Sequence, residues 1–207
     1  MSHAVMVSVQ PALTNRNRLT TAFRFILVIP HVLLVGAVGV GAAWQQRHTS
    51  FGSETGVLGA VAFLLAVVSW FTILIGHQHI PAIRQFTAFY MRWRVRALAY
   101  LMLLRDEYPP FGDAPYPAAI EIADPAAPRD RVTVALRIIL AIPHLIALVF
   151  LVVLWWLTSF AAWLVILSTG EYPAGLYNFG VGVLRWLLRV EGYVLLLVDE
   201  YPPFSLA

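Results

Sequence analysis

The chain has 207 residues, of which 60% are hydrophobic and only 12% charged, and its mean hydropathy is +0.76. That is too apolar for a soluble domain with a polar surface, so the expected solvent is a bilayer. The formal charge is +3, all fourteen cations are Arg, and Cys is absent, which excludes disulfides, thiolate metal sites, iron–sulfur clusters and a cysteine nucleophile.

Taken from the start, residues 1–19 show no apolar core followed by a small-residue cleavage site, so the first apolar helix is expected to direct insertion. Val5, Val7 and Val9 alternate with the period of a short strand. Apolar runs follow over Leu19 to Ala43 and Val57 to Gly76, separated by a polar loop, and each has the roughly 20 residues that a helix needs to cross a bilayer. Pro81 to Leu104 then carries Arg92, Arg94 and Arg96 at its centre, where each cation would cost roughly 2.5–3.5 kcal/mol in hydrocarbon. It reads as an interfacial amphipathic helix, closed by the phrase DEYPPF at Asp106 to Phe111.

The chain then repeats itself. At an offset of 113, Arg18, Arg24 and Pro30-His31 fall on Arg131, Arg137 and Pro143-His144, and the strand falls on Ala118, Ile120 and Ile122. Toward the end the offset is 93: Trp70, Arg92, Trp93, Arg96 and Tyr100 meet Trp163, Arg185, Trp186, Arg189 and Tyr193, and DEYPPF recurs at Asp199 to Phe204. The first copy therefore has 20 additional residues in its middle. The protein is a tandem duplication. Its units are residues 1–111, a Pro-rich acidic linker over 112–130 that contains the start of the second copy, and residues 131–207.

In the second copy no polar loop interrupts Arg131 to Gly170. Forty residues give about 60 Å of helix, twice a bilayer core, so two crossings with a tight turn near Val149 to Trp156 are expected, with Trp44 and Trp155-Trp156 at the far interface. Ala174 to Val198 is the second interfacial helix. The expected fold is an all-α integral membrane protein with two transmembrane hairpins, four spans in all, two interfacial helices and two short cytoplasmic strands. The clustered Arg residues place both termini in the cytoplasm by the positive-inside rule.

The run from IPH through a hairpin to GEYPAGLYNFGVGVLRWLLRVEGYVLLLVDEYPPFS resembles the bacterial membrane-protein family called domain of unknown function 4389. The resemblance covers essentially the whole chain, although the first copy reads GHQHIPAIRQF where the second has TGEYPAGLYNF. It implies a fold and a membrane location and no chemistry.

Several side chains invite a role. His31 and His144, each after a Pro, are expected to satisfy a freed carbonyl or a neighbouring helix, with a shared polar site or paired haem ligands as the sharper readings. His77 and His79 form an H-x-H that His48 and His3 are too scattered to complete as a zinc site. Arg92, Arg96 and Tyr100, and again Arg185, Arg189 and Tyr193, form stripes at i, i+4 and i+8, suited to anionic lipid or an acidic partner. Asp106 and Asp199 are expected to clamp Arg side chains across the interface between copies. The Gly36, Gly39 and Gly41 face permits close helix approach, and hence association with itself or a larger complex.

No catalytic constellation, metal site or cofactor motif emerges, and nucleic acid is not an expected partner. The sequence thus suggests a non-catalytic scaffold or accessory subunit of the bacterial inner membrane. The alternatives are a small transporter or channel with its path at the repeat interface, and a haem-binding redox subunit using His31 and His144.

Overall fold

The computed structural model describes residues 3–38, 56–76, 78–124 and 129–207. Gly39, Gly41, Trp44, His48 and His77 lie outside the described residues. Within each copy the order is strand, long apolar helix, amphipathic helix. The first copy contributes β1 (Val5–Val9), α1 (Arg18–Ala22), α2 (Arg24–Leu27), α3 (Ile29–Val35), α4 (Gly56–Gly76) and α5 (Pro81–Leu101). The second contributes β2 (Ala118–Ile122), α6 (Arg131–Ala135), α7 (Arg137–Thr169) and α8 (Ala174–Val194).

The expected hairpin in the second copy is not there. α7 is one continuous helix of 33 residues, about 50 Å long. Its buried positions, Arg137, Ala141, His144, Leu148, Val152, Trp155, Ser159, Ala162 and Ile166, keep a three- and four-residue rhythm through the segment assigned to a turn. No Gly, Asn or Asp stands between Val149 and Trp156 to provide one. Trp155 is accordingly buried mid-helix and not at an interface. Among the described residues two helices, Gly56–Gly76 and Arg137–Thr169, are long and apolar enough to cross a membrane, so the four expected spans are corrected to two candidates.

The first copy builds the same long helix in two pieces. The buried stripe Thr21, Arg24, Val28, His31, Val35 resumes at Gly59, Ala62, Ala66, Ser69 and Ile73, which are the repeat equivalents of Val152 through Ile166. α4 begins against the end of α3: a Cβ on Gly56 would stand 2.4 Å from the Gly36 nitrogen, and Gly56 has φ +67. The 20 additional residues are therefore inserted into a helix that the second copy leaves whole. The first run, expected to be helical to Ala43, stops at Val35, because Gly36 at φ 80 leaves the helical region. Asn17 and Asp130 cap α1 and α6, the short helices that open each apolar run, accepting from the backbone N–H groups of Thr20 and Val132.

The two copies are related by a pseudo-twofold axis, with their long helices antiparallel. Trp70 donates to the Val134 carbonyl at 3.0 Å, and its equivalent Trp163 donates to the Thr21 carbonyl at 3.0 Å. Arg131 donates to the Ile75 carbonyl at the end of α4, and Arg18 lies over Gly170 at the end of α7, where a cation suits the helix dipole. β1 and β2 form an antiparallel ribbon in which Val7 faces Ile120, so the axis passes between these equivalent residues. The strands are exchanged: β1 packs on α8 and β2 on α5.

α5 and α8 are not surface helices as expected. Their C-terminal halves are buried nearly all round, between the ribbon and the long helices. They end at Leu101 and Val194, a few residues short of the expected Leu104 and Val198, because Leu103 and Leu196 adopt φ 64 and 62 and close the helices with a left-handed residue. A close helix approach does occur, at Gly180, where a Cβ would stand 2.7 Å from Trp155 Nε1.

Candidate functional site

DEYPPF is a buckle. Its Asp receives two guanidiniums from its own copy, not from across the interface between copies. Asp106 Oδ1 accepts from Arg16 Nη2 at 2.7 Å and Arg24 Nη2 at 2.6 Å, while Oδ2 accepts from Arg16 Nε at 2.7 Å and the Asn17 N–H at 3.0 Å. Asp199 repeats this with Arg129 Nη2 at 2.5 Å and Arg137 Nη2 at 2.7 Å. Burial alone would raise both carboxyls, but the Arg hydrogen bonds and charges outweigh it and hold both below the ordinary value.

The remaining guanidinium hydrogens take the carbonyls that the end of each amphipathic helix leaves open. Arg16 donates to the Leu103 carbonyl and Arg129 to Leu196, the two left-handed residues. Arg24 donates to the carbonyls of Tyr100 and Arg105, and Arg137 to those of Tyr193 and Val198. Arg24 also lies 4.1 Å over the Tyr100 ring and Arg137 4.3 Å over the Tyr193 ring. The backbone strain of a leucine at positive φ is thus offset by a charged hydrogen bond to its carbonyl.

The aromatic half of the motif encloses the histidine. His31 stacks on Phe111 at 4.5 Å and meets Tyr108 at 4.9 Å, and His144 stacks on Phe204 at 3.9 Å and meets Tyr201 at 4.8 Å. Trp93 Nε1 donates to His31 Nδ1 at 3.0 Å, and Trp186 Nε1 to His144 Nδ1 at 3.1 Å. Since Nδ1 accepts, the neutral rings carry their proton on Nε2. Both rings are fully buried, in separate cages with no shared partner. The structure does not bring the two His together.

The cationic stripes hold their own chain. Arg92 and Arg96 pair with Asp113, and Arg96 also donates to the Gly112 carbonyl, just after the first buckle. Arg189 donates to an Ala207 oxygen, just after the second, and Arg185 to the Val7 carbonyl. Tyr100 and Tyr193 are 1% exposed and present no phenol to a ligand. His3 bonds Glu200 and His79 bonds the Ile80 carbonyl. Among the described residues, no three metal-ligating side chains come together.

One cluster was not anticipated. Arg94, 3% exposed, donates through Nε to Glu191 Oε2 at 2.7 Å, and Tyr90 donates to Glu191 Oε1 at 2.8 Å. Arg94 also donates to the carbonyls of Val35 and Ala37, where the first long helix breaks. In the other copy the equivalents of Arg94, Tyr90 and Glu191 are Leu187, Val183 and Leu98. Where α7 runs through, its carbonyls are satisfied within the helix. Where α3 stops, an Arg takes the open carbonyls and a Glu from the other copy neutralises it. Polar residues at positions that are apolar in the sister copy are the sequence signal that would have found this cluster.

The sequence profile of the family domain of unknown function 4389 matches residues 51–112 and 131–205, one segment in each copy. The chain belongs to this family. No curated protein and no solved structure matches it. Both segments contain a complete amphipathic helix and the DEYPPF phrase, and the second also contains Arg137 and His144, whereas Arg16, Arg24, His31 and Arg129 lie outside the matched residues.

Proposed function

We propose that this family member is a non-catalytic membrane protein, a scaffold or accessory subunit of a complex in the bacterial inner membrane, with both termini on the cytoplasmic side. The observation that carries this reading is the direction of its side chains. Large apolar groups such as Leu64, Phe71, Ile75, Ile138, Phe150 and Leu157 are about half exposed or more along the long helices, while Arg16, Arg24, Arg94, Arg129 and Arg137 turn inward onto carboxylates. Such an exterior needs acyl chains or another apolar protein surface. Because the Arg92–Arg96 and Arg185–Arg189 stripes are engaged by their own chain, lipid contact is assigned to the apolar exterior, and any preference for anionic headgroups is secondary to it.

The test is purification in native nanodiscs with the visible spectrum, native mass and co-purifying proteins recorded together. A colourless particle of defined mass, as a homo-oligomer or with a stoichiometric partner, is expected. A Soret band lost in His31→Ala or His144→Ala would replace this reading with a redox subunit. Selective ion flux in liposomes would replace it with a channel.

A further inference from the structure

We infer that the two long helices lie along one leaflet of the bilayer, with the β-ribbon facing water, and do not cross it. This rests on the membrane reading above and fixes how the protein sits in lipid. The pseudo-twofold axis is perpendicular to the antiparallel long helices and passes between Val7 and Ile120. If the helices stood along the bilayer normal, the axis would lie in the membrane plane and the ribbon at mid-depth. Among the described residues each strand has a single partner, so each would expose to hydrocarbon an edge that lacks a partner strand, with Arg185 satisfying the Val7 carbonyl, alongside the exposed side chains of Ser8 and Glu121. Unpaired backbone groups are not tolerated there. With the axis along the normal, the ribbon and apolar arcs fall on opposite sides of α5 and α8, which separate them.

Length and charge agree with this orientation. The exposed apolar run on α7 extends from Ile138 to Leu164, about 40 Å at helical rise. To fit a core of roughly 30 Å it would have to lean by about 40°, the extreme for membrane helices. The two Asp–Arg buckles lie at opposite ends of the antiparallel pair, so upright helices would place one on each side of the membrane. Flat helices place both at the same interface. The polar face that a helix lying in the interface needs is supplied here by α5, α8 and the ribbon packed on the long helices.

The chain contains no Cys, so single-Cys variants report without background. Spin labels at Ile139→Cys, Phe150→Cys and Leu164→Cys, in vesicles of phosphatidylethanolamine and phosphatidylglycerol, are expected to show equal depth within one leaflet by oxygen and nickel accessibility. Glu171→Cys and Gln78→Cys, at opposite ends of the helix pair, and Glu121→Cys on the ribbon should all react with an impermeant maleimide from the same side of sealed membrane vesicles. Phe150 at the bilayer centre with Ile139 and Leu164 near opposite headgroups would overturn the inference, as would Glu171 and Gln78 labelling from opposite sides. Release of the protein by alkaline carbonate, with all three spin labels in water, would overturn the membrane reading itself, and the lack of any lipid contact tells that failure apart.

Discussion

Replacing Glu191 with Leu, the residue that the first copy carries as Leu98, leaves the Arg94 guanidinium buried with carbonyls but no counter-charge. Removing one partner of a buried pair costs about 3–5 kcal/mol, roughly two to three and a half decades in the folding constant. Arg94→Leu should cost a similar amount for a different reason: it strands the carbonyls of Val35 and Ala37, at about 1–3 kcal/mol for each unsatisfied group, and unpairs Glu191. The double variant removes both charges and restores the leucine pair that the repeat already accommodates at Leu98 and Leu187. Only the two carbonyls and the Tyr90 hydroxyl then remain unsatisfied, at about 1–3 kcal/mol each. The double variant should therefore cost several kcal/mol less than the Glu191→Leu and Arg94→Leu losses summed. Unfolding in mixed detergent micelles, followed by Trp fluorescence across a denaturant series, closes the cycle. Additive losses would refute the pairing, and with it the account of how the helix break is sealed.

Deleting residues 36–55 and joining Val35 to Gly56 should yield an uninterrupted first long helix like α7, and Arg94→Leu should then cost less than it does in the full chain. An equal cost in both backgrounds, again by fluorescence unfolding, would show that Arg94 does not serve the break. Asp106 and Asp199 have folded values held below the ordinary 3.8, so their stabilisation is complete above that value and is lost as pH falls through the lower folded one. Thermal midpoints should thus be level from pH 7 to 5 and fall below about pH 4, with a lower and flatter profile in Asp106→Asn combined with Asp199→Asn; parallel profiles would contradict the buckle. Trp93→Phe and Trp186→Phe each deprive a buried His Nδ1 of its donor and should each destabilise by about 1–3 kcal/mol. Wild-type stability in only one of them, in the same unfolding assay, would break the equivalence of the two cages.

The repeat, the strand positions, the apolar helices and the boundary phrase DEYPPF were all legible in the sequence, because each is written in local order: an offset of identical residues, an alternation of two, a run of apolar side chains, a Pro-Pro stop. The division of the apolar runs was not. A helix that is apolar on nearly every side gives no polar face from which to read a turn, and forty residues without a polar loop suit a hairpin and a single long helix equally by length. What distinguishes them is the uninterrupted buried rhythm from Arg137 to Ile166, visible as burial only once α8 is packed against it. The partners of the charges were likewise undetermined: Asp106 meets Arg16 and Arg24, 90 and 82 residues away in the chain, and Arg94 meets Glu191 across 97. Any of the fourteen Arg residues could have served an Asp by chemistry alone. The packing of the long helix on the amphipathic helix within each copy decides the Asp pairs, and the antiparallel association of the two copies, set by Trp70 and Trp163 reaching each other's helices and by the exchanged strands, decides the Arg94–Glu191 pair.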